Sequence, residues 1–248
     1  MSNRREFALL GLALLLTACS GGSGEGASNG RSVSVFAAAS LTGAFEEIAG
    51  DFTAEEGIDV ELNFLASSDL AAQIVEGAPA DVFASADEAS MARVTDEGFA
   101  EAPGVFAQNR MAIAVRAGNP RRIESLADLE DPELVVVLCN EACPAGDYAR
   151  GILDDAAVRL DPDSLEGDVR GVLTRVGLGE ADAGIVYATD VAADPAVEGV
   201  EISEEHNVVT NYPIAALKGA HRGARAFVDF VQSEPARRIL DEHGFQLP

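Results

Sequence analysis

From Val33 onward, short apolar runs alternate with stretches whose apolar residues recur at helical spacing. That order is what most narrows the choice of fold. Residues 33–37 (VSVFA) read as a strand, and Leu41, Phe45, Ile48 and Phe52 then follow at helical intervals. Residues 59–64 (DVELNF) alternate as the next strand, and Leu70 and Ile74 mark a short helix ending near Gly77. Residues 81–85 (DVFAS) read as a third strand, with Asp87 capping a helix through Met91 and Val94. Residues 111–115 (MAIAV) and 134–138 (LVVVL) are apolar enough for strands buried on both faces. Between them Ser125 and Asp128 suit a capping box. Residues 184–188 (GIVYA) read as a further strand. Two C-terminal helices come last, one carrying Phe227 and Phe230, the other Ile239 and Leu240. Repeated βα order predicts an α/β protein with largely parallel sheets.

The first residues read as an address. Arg4 and Arg5 precede an apolar run at residues 7–16 (FALLGLALLL), too short to span a bilayer and suited to a signal-peptide core. Leu16-Thr17-Ala18-Cys19 resembles the lipobox of bacterial lipoproteins, in which Cys19 is lipidated; an ordinary cleavage site with an incidental cysteine is the alternative. Asn3-Arg4-Arg5-Glu6-Phe7 also looks like a twin-arginine export signal. Residues 20–31 (SGGSGEGASNGR) form a Gly/Ser-rich tether. The expected arrangement is lipid anchor, leash and globular body, acting outside the cytoplasmic membrane.

Charge excludes several partners. Asp and Glu number 42 against 17 Lys and Arg, for a net charge of -25. Phosphate backbones and anionic lipid headgroups are held by clustered basic residues, so nucleic acid and a basic membrane-docking patch are not expected. The acidity, with Lys218 the single lysine, suits either adaptation to high salt or ordinary acidic solubility. Three Cys and three His leave little for a multi-ligand metal site. Cys139 and Cys143 have a spacing that suits a local disulfide in an exported protein; two free buried thiols are the alternative.

The helix starts carry the functional signal. Ser40 stands where the N-cap after the first strand should be, and Ser67-Ser68-Asp69 come after the second. Pro144-Ala145-Gly146-Asp147 opens a helix with Tyr148 and Ile152, and Asp168-Val169-Arg170 opens one with Val172 and Val176. Ser, Thr and Asp cap helices everywhere, so each start taken alone is ordinary. As a set they are rich in small residues and nearly free of Lys and Arg. Helix N-termini offer N–H groups without intrahelical acceptors, and in open α/β sheets they gather at the crevice beyond the strand ends. Several together would make an oxyanion site built from neutral donors.

Phe36-Ala37-Ala38-Ala39-Ser40-Leu41-Thr42, the run at residues 77–87 (GAPADVFASAD) and Gly184-Ile185-Val186-Tyr187 resemble, in order, the periplasmic molybdate-binding proteins of ABC transporters. The resemblance implies a two-lobed type II periplasmic-binding-protein fold with the ligand in the cleft between lobes. It implies molybdate, and tungstate, as ligand, a membrane permease as partner, a monomer, and no cofactor. Carried over, Ser40 and Ser67 would supply hydroxyl and backbone donors from the first lobe. Ala145 and Val169 would supply backbone N–H groups and Tyr187 its phenol from the second, with no protein atom ligating the metal directly. Ser68 is the neighbour to test for a register slip. Two departures stand out: the cysteines ahead of Pro144, and Asp69, where the family often has a hydroxyl. The expected boundaries are a signal peptide at 1–18, a tether at 19–31, one lobe at 32–107 plus 213–248, and the other at 108–212. The chain would cross between lobes at Gln108-Asn109 and Asn211-Tyr212-Pro213.

Competing readings are the same fold binding sulfate, phosphate or another oxyanion, and an enzyme on this fold. No Gly-x-Ser-x-Gly elbow, HExxH or clear acid–base pair occurs, so no catalytic residue is assigned. His206, His221 and His243 read as surface or helix residues. A ferric site would gather tyrosines and carboxylates, but only Tyr148, Tyr187 and Tyr212 exist.

Overall fold

A computed structural model describes residues 32–248. The expected signal peptide, the expected lipidation at Cys19 and the expected tether lie outside the described residues.

The chain opens with β1 (Ser32–Ala38), a 3-10 turn (Ala39–Leu41) and α1 (Thr42–Glu56). Then come β2 (Asp59–Leu65), α2 (Ser67–Val75), β3 (Val82–Ala84), α3 (Glu88–Asp96) and the long β4 (Gly104–Arg116). A second 3-10 turn (Leu126–Glu130) leads to β5 (Val136–Cys139), α4 (Pro144–Asp155), β6 (Ser164–Glu166), α5 (Val169–Leu178) and β7 (Ala183–Tyr187). The chain ends with α6 (Ala188–Ala193), β8 (Val197–Glu201), β9 (Val209–Ala216), α7 (Gly223–Val231) and α8 (Glu234–Glu242).

The strands take the order β2-β1-β3-β9-β4-β7-β5-β6, with β8 also pairing β4. The expected largely parallel sheet is corrected to a mixed one. β1 pairs β2 and β3 in parallel, and β5 pairs β6 and β7 in parallel. The pairings of β3 with β9 and of β4 with β7, β8 and β9 are antiparallel. The reason lies in β4. Its first half pairs β9 beside the β1 group, and its second half, from Met111, pairs β7 and β8 beside the β5 group. The two segments expected to cross between lobes are neighbours here, Gln108 opposite Asn211 and Ala107 opposite Tyr212.

Helical periodicity translates directly into packing. Phe45, Ile48 and Phe52 of α1 are fully buried. Phe52 meets Phe227 and Phe230 of α7 edge-on, at centroid distances of 5.2 and 5.5 Å. Each such side chain contributes about 2–3 kcal/mol of hydrophobic burial. Ser125 and Asp128 form the expected capping box on the second 3-10 turn. Asp87 caps α3 by accepting from the Ser90 N–H.

Close approach fixes two glycines. A Cβ on Gly184 would run into Val172 Cγ1 and lie 2.8 Å from the Val137 carbonyl oxygen, so β7 can lie against β5 and α5 only without one. A Cβ on Gly146 would meet the Asn140 carbonyl oxygen and lie 2.6 Å from that of Cys139. The first turn of α4 is therefore seated on the end of β5. Cys139 and Cys143 are disulfide-bonded across the same corner, with Cα atoms 6.0 Å apart.

Candidate functional site

The segments that follow β1, β2, β5 and β6, and the end of β7, come together around one space. A small cavity lies between them, lined by Ala38, Ala39, Ser40, Ala66, Ser67, Ala86, Cys143, Pro144, Ala145, Asp168, Val169 and Tyr187. The structure thus gathers Ser40, Ser67, Ala145, Val169 and Tyr187 at one place, from segments far apart in the chain. Ser68 does not line the cavity, although its Oγ is buried without a hydrogen-bond partner. Asp69 is exposed and also off the cavity wall, so its charge faces away.

The serines are held differently from the expected caps. Ser40 lies inside the 3-10 turn, whose N-cap is Ala38 with no side-chain cap bond. Its Oγ instead lies 2.9 Å from the Tyr212 hydroxyl of β9. Ser67 is the first residue of α2, whose N-cap is Ala66. The Ala86 N–H donates to Ser67 Oγ at 2.9 Å. A backbone N–H can only donate, so the Ser67 proton is left for another acceptor. Ser67, Ala145 and Val169 each lie in the first turn of a helix, where N–H groups have no intrahelical acceptor and the macrodipole is positive. Asp168 is the only charged residue on the wall, and its Oδ1 is engaged in capping α5 through the Gly171 N–H at 2.9 Å.

Tyr187 ends β7 and is 2% exposed. Among the described residues, its buried hydroxyl has no hydrogen-bond partner. Burial, more than the neighbouring Tyr212, Tyr148, Asp87 and Asp190, pushes its pKa well up, so the phenol keeps its proton. An orphaned buried hydroxyl costs about 1–3 kcal/mol unless something accepts from it. Behind it, Asp190 Oδ2 accepts from the Tyr187 N–H at 3.2 Å. Burial raises the Asp190 carboxyl to about 7, against the lowering effects of that hydrogen bond and of Arg170.

Sequence reasoning missed Tyr212, Asn109 and Ala86. Tyr212 was visible only as part of an expected crossing segment, and Ala86 offered no signal, because its contribution is a backbone N–H. Among the described residues, no group of three or more His, Cys, Asp and Glu side chains could hold a metal ion.

Residues 33–246 match the family model described as bacterial extracellular solute-binding protein. The molybdate-binding protein ModA of Mycobacterium tuberculosis is 45% identical over 223 residues, covering 88% of this chain and 85% of that protein. The solved periplasmic molybdate-binding protein of Azotobacter vinelandii superposes with a TM-score of 0.75 at 22% identity, over 87% of this chain and 99% of that one. The sulfate-binding protein SubI of M. tuberculosis superposes with a TM-score of 0.77 at 20% identity, over 88% and 87%. The chain therefore belongs to the bacterial extracellular solute-binding proteins as a ModA-like, non-catalytic, extracytoplasmic binding protein of ABC transport, with a type II periplasmic-binding-protein fold.

Proposed function

We propose that this protein captures molybdate, and tungstate, in the cavity between its two lobes and delivers it to a membrane permease. One observation carries the reading: among the described residues, the buried Tyr187 hydroxyl has a proton to give and no hydrogen-bond partner. Around it, the Ser67 proton and the first-turn N–H groups of Ala145 and Val169 point the same way in chemistry. All are donors. A fully deprotonated tetrahedral oxyanion is all acceptor, and preorganised neutral dipoles hold it without the desolvation cost of a buried ion pair.

In this reading Ser40, Ser67, Ala145, Val169 and Tyr187 form the ligand shell. Residues 32–107 plus 213–248 make one lobe and 108–212 the other. The ion binds one lobe first, and donors from the second favour closure, since they exist only in the closed state. The net charge of -25 does not oppose this, because screening over about 8 Å leaves the local donors dominant. Lipidation of Cys19 would tether the monomer at the outer face of the membrane, beside its permease.

Sulfate is the second reading, favoured by the fold shared with the sulfate-binding relative. Cavity size would separate the two, since a smaller anion leaves some donors stretched. Calorimetric titration of the body lacking residues 1–31 with molybdate, tungstate, sulfate and phosphate tests both. Molybdate and tungstate are expected to bind far more tightly than the other two. A preference for sulfate would replace the first reading by the second.

A further inference from the structure

Ser40, Asn109, Thr189 and Tyr212 are all buried and join the cavity to the strands that cross between the sheets. Distance alone leaves open whether Ser40 or Tyr212 donates in their 2.9 Å hydrogen bond. Asn109 decides it. Its Oδ1 accepts from the Arg110 N–H at 2.9 Å, and a backbone N–H can only donate, so the amide orientation is set. Asn109 Nδ2 then faces Thr189 Oγ1 at 2.8 Å and the Tyr212 hydroxyl at 3.4 Å. An amide NH2 has two protons and no acceptor. The Tyr212 oxygen therefore accepts from Asn109, and Ser40 Oγ, at 2.9 Å, is the near acceptor for the Tyr212 proton. Burial raises the Tyr212 pKa, which keeps that proton in place.

We propose that Tyr212, oriented by Asn109, is a positioning residue that occupies a lone pair of Ser40 and so leaves the Ser40 hydroxyl proton for the ligand. The inference rests on the oxyanion reading of the site and deepens it: Ser40 keeps its proton for the ligand, as Ser67 does when its Oγ accepts from the Ala86 N–H. The same chain of bonds ties the ligand shell to β4 and β9, where the lobes meet. Tyr212 acts through Ser40 alone, without touching the ion.

A double-mutant cycle tests this, with molybdate titrated calorimetrically into wild type, Tyr212→Phe, Ser40→Ala and the double variant. Tyr212→Phe keeps the ring but frees the Ser40 hydroxyl to rotate. It is expected to weaken binding about tenfold in wild type, the scale of one hydrogen bond, and less than about twofold when Ser40 is already alanine. Equal losses in both backgrounds would overturn the assignment, since a packing role for Tyr212 does not pass through Ser40. Asn109→Ala, which lets the Tyr212–Ser40 bond reverse, should lose a smaller share in the same Ser40-dependent way, and it keeps the test available if Tyr212→Phe does not fold. Wild-type protein that takes no molybdate would overturn the oxyanion reading itself, a result distinct from a cycle in wild-type-competent protein that shows no coupling.

Discussion

Tyr187 and Tyr212 meet edge to face with ring centroids 5.7 Å apart, yet only Tyr212 has its hydroxyl engaged. Both rings are buried and come from strands that flank β4. Tyr212 therefore serves the protein's own network, whereas in the proposed site the Tyr187 hydroxyl is the one left for a ligand.

Tyr187→Phe should separate affinity from stability. The ring packing is kept and an unsatisfied buried hydroxyl is removed, so the chemical-denaturation midpoint should stay level or rise. Molybdate affinity should fall by about 1–3 kcal/mol, the range for a hydrogen bond to a charged group. Parallel denaturation and calorimetry check this. A loss of stability with unchanged affinity would make Tyr187 an ordinary core residue.

Replacing both Cys139 and Cys143 by alanine should destabilise the protein by about 2 kcal/mol, the loop-entropy value for so short a bridge. The bridge pins the corner from which α4 presents the Ala145 N–H. Molybdate affinity should therefore fall as well, and calorimetry before and after reduction of the wild type gives the same comparison without mutation.

Gly146→Ala places a methyl group against the backbone oxygens of Asn140 and Cys139. Backbone cannot swing aside like the tip of a flexible side chain. The first turn of α4 must lift, at about 1–3 kcal/mol of stability and with loss of ligand affinity. Gly151→Ala, on the same helix where an added Cβ meets nothing within 4 Å, is the control and should be neutral or slightly stabilising.

Asp190 sets a pH dependence whose sign can be worked out. Unfolded, its carboxyl titrates near 4; folded, burial raises it to about 7. Between those values the folded protein holds the extra proton, so this group's contribution to stability is full below about pH 4 and is lost as pH rises to about 7. Asp190→Asn should flatten the urea-midpoint profile over that window and be more stable than wild type at pH 8. Identical profiles for the two proteins would show that Asp190 titrates normally.

Much of the framework is legible along the chain because it depends on local chemistry. The apolar spacing of Phe45, Ile48 and Phe52 specifies a helix with one buried face, and Asp87 and Asp168 can cap only the helices that begin at the next residue. The short β6 (Ser164–Glu166) and the two-sided exposure of β8 carry no such pattern. β9 hid for another reason. The residues at 211–213 look like a turn, and Pro213, which cannot donate to a ladder, stands beside the register shift on the facing β4 between Val105 and Ala107.

By itself, then, the sequence determined most of the helices, the strands that lead into them, and which helix starts are small and uncharged. Those properties are set by neighbours within a few residues. Only the tertiary structure decided that Ser40 is no helix cap but the partner of a tyrosine 172 residues away, that Ala86 donates to Ser67, and that the Tyr187 hydroxyl has no hydrogen-bond partner among the described residues. Hydrogen-bond direction depends on which groups meet across the fold, and no local pattern of residue types encodes that meeting.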